Sequence, residues 1–309
     1  MKPIPYQWMT TYTPQREWIE GRGLLLWLSI FFVELGAGLY LVSVALGGVI
    51  GMILGYLLAL GVGGGLHIAY LGRPTRVWRA FSRPGTSWIS RGLILITLFM
   101  FLGAFQLLLE LQFDFAGAPG ESIVLWSRIA AGLISFAVMI YGGLVLSCVS
   151  ALASWNTGLI PMLFVVGSLW GGAEIILGIH LYKDAPGVVE HAESWIPIFM
   201  IGYVLLLIAY LAGLLYGSGA AQRSAREILS GSLSPVFYLG VVATGAVAPL
   251  TIALYANSSS VGTSPLPYAG IICGLLGDLS MRYCIFRAAF YAPLIGNSRA
   301  HRRGSRAER

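Results

Sequence analysis

Charge is what this sequence is shortest of. Only 10% of its 309 residues are Asp, Glu, Lys or Arg, where a soluble globular domain carries about a quarter. So little charge cannot build a water-facing shell, which excludes a soluble domain and leaves a polytopic membrane protein. Cysteine is scarce as well. Cys148, Cys273 and Cys284 all fall in apolar stretches and form no CxxC pair. That excludes iron–sulfur ligation by this chain and predicts three small apolar side chains. No P-loop, HExxH or nucleophile elbow in a strand–helix setting occurs, so an active site of the soluble-enzyme type is not indicated. The first 22 residues hold no apolar run with a small-residue cleavage site, so no removable signal peptide is expected.

What is abundant is apolar. Hydrophobic residues make up 57% of the chain, which also contains 40 glycines. Crossing a hydrocarbon core of about 30 Å takes about 20 residues. Eight runs are long enough: 24–46, 49–71, 92–111, 126–152, 159–182, 195–216, 233–255 and 266–290. They predict an all-α fold of eight transmembrane helices spanning 23–294, a segment 1–22 before it and a basic tail 295–309 after it. A faint echo joins "FVELGAGLYLV" to "WGGAEIILGIH", but no convincing repeat is present. The in-span glycines predict close helix packing.

The histidines are too few and too scattered for haem. His67 falls near one membrane face, His180 near the other, His191 in a loop and His301 in the tail. A bis-histidine haem needs two at one depth, so no haem is expected.

An even number of spans puts both termini on one side. Fifteen Lys and Arg residues lie there, against only Lys183 and Arg128 on the other side. The positive-inside bias puts both termini in the cytoplasm and the chain in the inner membrane. The net charge of +6 belongs to these loops, so nucleic acid is not an expected partner. Five of the arginines crowd into one loop, "YLGRPTRVWRAFSRPGTSWISRG" (70–92): Arg73, Arg76, Arg79, Arg83 and Arg91. Topology alone needs charge but no prolines. Pro74 and Pro84 stiffen the loop, and Trp78 and Trp88 suit the headgroup level. The expectation is an ordered cationic platform that docks a partner.

Charges within spans are costly and are functional candidates by default. Four stand out: Glu34, Glu174, Asp278 and Arg282. Asp278 and Arg282 are four apart and so share a helix face. They predict an intrahelical ion pair, which can also border a proton path. Glu34 has no charged residue within a turn, so it reads as an isolated carboxyl. His67 could hydrogen-bond a carbonyl and exchange its proton. Trp27 could stack on a ring.

Several segments resemble the polysulfide reductase/NrfD family of membrane subunits and the related dimethyl sulfoxide reductase anchors. "LGRPTRVW" followed by "SWISRG" resembles the loop after the second span. "FFVELGAGLYLVS" (31–43) resembles the first span, "YGGLVLSCVSALASWNTGLIPMLF" (141–164) the fourth and fifth, and "GDLSMRYCIF" (277–286) the last. The resemblance implies two packed four-helix groups, no haem, and a quinone or quinol (menaquinone or ubiquinone) bound in the membrane. It implies electron exchange with an iron–sulfur subunit, itself paired with a molybdopterin-type catalytic subunit. Tyr141 matches a quinone-contacting tyrosine of the family. Where relatives can present Asn and His in the first span, this chain has Leu26 and Ser29, so those ligands are not carried over. The expected quinone site is Trp27, Glu34, His67 and Tyr141, with Glu34, His67 and Tyr141 as the proton-handling residues. The expected proton path is Glu34, Glu174, Asp278 and Arg282. The charge asymmetry turns the docking loop to the cytoplasm, as in sulfite-oxidising relatives. Two other functions fit the same composition: a proton-coupled secondary transporter, and a purely structural anchor.

Overall fold

The computed structural model describes residues 15–111, 120–183, 186–258 and 265–292. Nine helices are described. Eight are long and apolar enough to cross a membrane: α1 (Gly23–Leu46), α2 (Val49–Tyr70), α3 (Trp88–Glu110), α4 (Glu121–Ser147), α5 (Leu159–Lys183), α6 (Pro186–Leu215), α8 (Val236–Tyr255) and α9 (Leu266–Arg287). The remaining one, α7 (Gly219–Leu229), is short and amphipathic.

The helix ends follow local chemistry. α1 stops at Gly47, whose φ of 76° is left-handed, and the Gly47 N–H donates to the Ser43 carbonyl. A glycine takes that conformation without a Cβ penalty, and the chain turns at once into α2. In α2, residues Leu57–Gly63 form a π-helical turn. α3 begins at Trp88, ahead of the apolar run, because the Ser87 hydroxyl accepts from the Ser90 N–H and caps it. α6 begins at Pro186 rather than at 195. Proline suits a first helical turn, and the polar residues Glu190, His191 and Glu193 are helical outside the apolar stretch. The 217–232 stretch, expected to be a polar connection, contains α7. That helix buries Ala221, Ser224, Ala225 and Ile228, the spacing of one helical face.

Helices α1 to α4 close into a ring, with α1 on α2, α2 on α3, α3 on α4 and α4 on α1. In the second group α5 packs on α6 and on α9, and α9 on α8. The groups meet chiefly where α1 crosses α5, the two most buried spans. A Cβ on Gly172 would stand 2.7 Å from the Gly38 and Leu39 backbones, and one on Gly38 would overlap the Ser168 carbonyl. The two chains therefore touch backbone to backbone, which small residues permit in a membrane.

Polar side chains tie each end. On the α3–α4 side, Tyr40 Oη donates to Gln106 Oε1 at 2.6 Å, Gln106 Nε2 to Glu110 Oε1 at 2.8 Å, and Arg128 pairs with Glu110. Arg128, at a span edge, is thus neutralised. At the opposite end, the turn Gln15–Trp18 tucks under the helices. Trp18 meets Trp155 edge-on at 5.2 Å, and Trp155 Nε1 donates to the Ile285 carbonyl at 2.8 Å. The tail 295–309 lies outside the described residues.

Candidate functional site

Glu34 sits near the middle of α1 and is 1% exposed. Read in sequence it is alone, but folding brings it a partner. Arg282 Nη1 on α9 donates to Glu34 Oε2 across the boundary between the two helix groups. The isolated-carboxyl reading is therefore corrected: the partner is distant in sequence, and a search within one turn misses it. The intrahelical pair is present as well, with Arg282 Nε 2.9 Å from Asp278 Oδ2. The remaining guanidinium nitrogen faces Ser168 Oγ at 3.3 Å and the Phe164 carbonyl at 3.4 Å. The guanidinium carbon lies 4.2 Å from the centre of the Phe164 ring and 5.6 Å from that of Phe31. Tyr203 Oη on α6 donates to Asp278 Oδ1 at 2.9 Å. One buried cation thus bridges two carboxylates and joins α1, α5, α6 and α9.

Glu174 lies in the same column. Its carboxylate packs on Gly274 of α9, one turn, or about 6 Å, from Asp278. Its Oε2 has no partner among the described residues, and the Trp170 indole one turn back falls short of hydrogen-bond geometry. Along α9 the order is Glu174, Asp278, Arg282, Glu34. These are the four residues expected to carry protons.

The other oxygen of Glu34, Oε1, points to α4. It lies against Gly142, short of hydrogen-bond geometry with any described group. A Cβ on Gly142 would collide with it. The preceding residue is Tyr141, whose ring lies on Gly92 at the start of α3. Its hydroxyl makes no hydrogen bond among the described residues. Tyr141 and Glu34 are thus brought together inside the first helix group.

His67 is placed elsewhere. Its Nδ1 lies 3.3 Å from Ser29 Oγ, which itself donates to the Gly63 carbonyl at 2.9 Å. Ser29 and Glu34 are five residues apart, which at roughly 100° per residue puts them about 140° apart around α1. His67 therefore serves the α2 side of α1, and Glu34 the α4 and α9 side. Trp27 shares the Glu34 face, two turns nearer the helix start. Its ring meets Tyr283 edge-on at 5.7 Å, and its Nε1 has no partner among the described residues.

The arginine loop is ordered. Pro74–Ser82 forms a 3-10 helix, after which the chain turns into the Ser87 cap. Arg73, Arg76, Arg79 and Arg83 are exposed, and among the described residues no carboxylate pairs with them. Trp78 is 64% exposed, with the Arg79 guanidinium 5.4 Å over it. Arg91 differs. Its Nε donates to the Pro84 carbonyl and its Nη2 to the Gly85 carbonyl, both at 2.8 Å, and it stacks 4.6 Å over Trp88. It holds the loop together rather than standing free with the others. An open cleft of about 450 Å³ lies where the loop leaves α2, lined by Glu17, Glu20, Arg22, Tyr70 and their neighbours.

Sequence reasoning missed Tyr203, Ser168, Phe31 and Phe164 around Arg282, and Gly92 and Gly142 around Tyr141. Only the glycines left a signal, and it was shared with every other in-span glycine.

Comparison with known proteins agrees with this architecture. The family model described as "Polysulphide reductase, NrfD" matches residues 22–292. Protein NrfD of Escherichia coli strain K12 is 26% identical over 295 residues, covering 84% of this chain and 92% of the relative.

Proposed function

Because the chain belongs to the polysulphide reductase, NrfD family of membrane subunits, and so has a membrane-anchor role in a redox complex, we propose that it binds a quinone or quinol and exchanges electrons with an iron–sulfur subunit. That subunit docks on the arginine loop and connects to a molybdopterin-type catalytic subunit. The partner subunits lie on the cytoplasmic side of the inner membrane, a placement that the charge asymmetry supports.

The observation that carries the reading is the pair formed by Tyr141 and Glu34. The Tyr141 ring, set on Gly92, and the Glu34 Oε1, set against Gly142 and without a hydrogen-bond partner among the described residues, meet successive positions of α4 in the helix group that bears the cationic loop. A quinone carbonyl accepts a hydrogen bond, and its reduction takes up protons. A phenol and a carboxyl group supply both functions. Trp27, on the same face of α1, offers a ring edge. His67 belongs to a separate position beside Ser29, where it exchanges protons with the cytoplasmic side.

Quinol turnover of the assembled complex tests this. Tyr141→Phe and Glu34→Gln are expected to lower kcat about 10²-fold or more, the usual scale for a lost proton-transfer group. His67→Ala is expected to lower it less, because it lies on the far face of α1. Wild-type rates in all three variants would sink the site.

The column Glu174, Asp278, Arg282 and Glu34 supports a proton path between Glu34 and the opposite membrane face. The same column favours the second reading, a proton-coupled transporter that works without a redox partner. A mild-detergent pull-down separates the two. A stoichiometric iron–sulfur subunit is expected with the tagged chain, and a chain that purifies alone and folded would favour the transporter.

A further inference from the structure

The arginine loop is built onto the helix start against which the Tyr141 ring packs. Arg91 clamps the carbonyls of Pro84 and Gly85, each at 2.8 Å. The N–H groups of Thr86 and Ser87 donate to the Arg83 carbonyl at 3.3 and 3.0 Å. Ser87 in turn caps the first turn of α3. Residues 83 to 91 therefore form a closed knot built onto the helix start, with the exposed Arg83 at its outer edge. The next residue is Gly92. It is buried, and a Cβ there would fall inside the Tyr141 ring. The ring thus rests on bare Cα with no slack between it and the backbone. Behind it, Gly142 is wedged against Glu34.

We propose that Arg91 and Gly92 are positioning residues through which an acidic protein surface docked on the arginine loop sets the place of the Tyr141 ring. This rests on the reading of the loop as the docking face and of Tyr141 as the quinone contact. The physical argument is that packed interiors transmit displacement rather than absorb it. A partner that pulls on Arg83 moves the knot, the knot moves the first turn of α3, and the Gly92 backbone moves the ring. The exposed Arg73 and Arg76 lie outside the knot and serve attraction alone.

The test uses the full chain in lipid nanodiscs with 3-fluorotyrosine at position 141, read by fluorine NMR. Arg91→Ala releases both carbonyls and is expected to shift the resonance by more than its linewidth. Arg79→Ala, which disturbs only the exposed Trp78 stack, is expected to leave it in place. If Arg91→Ala does not fold, Arg91→Lys replaces it. A lysine keeps the charge but lacks the planar fork that grips two acceptors. A resonance unmoved in the folded Arg91 variant would overturn the coupling. The quinone reading fails separately: Tyr141→Phe with full quinol turnover would remove it, while a shifted resonance would still establish that loop and ring move together. With both readings intact, Arg91→Lys complexes retain their partner and show a raised quinol KM with a smaller change in kcat.

Discussion

Replacing Arg282 by methionine is expected to destabilise the membrane domain by roughly 3–5 kcal/mol, the cost of removing one member from a buried ion pair. Here the loss falls at the heavy end. Arg282 is 1% exposed and serves Glu34 and Asp278 together, with Ser168 and Phe164 as further contacts. Its removal leaves two carboxylates facing each other without a cation, at the seam between the helix groups. Arg282→Lys is expected to recover only part of the loss. A single ammonium on a flexible stem cannot bridge both carboxylates as a planar fork does. The triple variant Arg282→Met, Glu34→Gln, Asp278→Asn is expected to be more stable than Arg282→Met alone, because it leaves no uncompensated buried charge. Thermal unfolding in mild detergent, followed by near-ultraviolet circular dichroism, measures all three. A wild-type midpoint for Arg282→Met, or no recovery in the triple variant, would show that the cluster does not hold the groups together.

The number and sequence of the spans were legible because length and hydropathy decide them, and α1, α2, α5 and α9 begin within a residue of the expected positions. The starts of α3, α4 and α6 were not. Each helix extends into polar residues that satisfy its first turn, and an apolar count discards those residues. Ser87 and Pro186 carried the missing information as a cap and as a first-turn proline. The helix α7 was hidden for a related reason: its apolar face is made mainly of alanine and serine.

The site was legible by residue type and not by contact. Glu34, Asp278 and Arg282 announced themselves as charges in apolar spans, and the i,i+4 spacing gave the Asp278–Arg282 pair. The Glu34–Arg282 pair spans 248 positions. A helix that is apolar all round has no polar face to show which neighbour it meets, so no pattern in α1 or α9 could reveal it. The same blindness merged His67 with Glu34 into one expected site, although His67 falls near a membrane face and Glu34 near the middle of α1. The contact of His67 with Ser29, five residues before Glu34 and on another face of α1, separates them. The family resemblance, by contrast, rested on one loop motif and three span segments spread along the chain, and agrees with the match over residues 22–292.

A large steric effect is expected at Gly172→Val. Overpacking a tight interior costs roughly 1–3 kcal/mol when side chains can yield. At Gly172 they cannot, because the atoms met are the backbone carbonyl carbon of Gly38 and the amide nitrogen of Leu39, both at 2.7 Å. α1 and α5 must then separate along their crossing, and this crossing carries the contact between the two helix groups. The separation also draws Ser168 and Phe164, one turn or two back on α5, away from Arg282. The loss is therefore expected at or above the upper end of that range, with the variant recovered in low yield and aggregated on size-exclusion chromatography. Gly213→Val on α6 is the matched control. A Cβ there meets nothing within 4 Å, so it adds the same side chain in open space and is expected to behave as wild type. Equal yields for the two variants would mean that the groups are held by the Arg282 cluster and their lipid-facing surfaces, and that the glycine crossing is incidental. A selective loss at Gly172 would explain why the echo "FVELGAGLYLV" and "WGGAEIILGIH" falls on the two helices that cross: both segments need small residues at the same contact, whatever their ancestry.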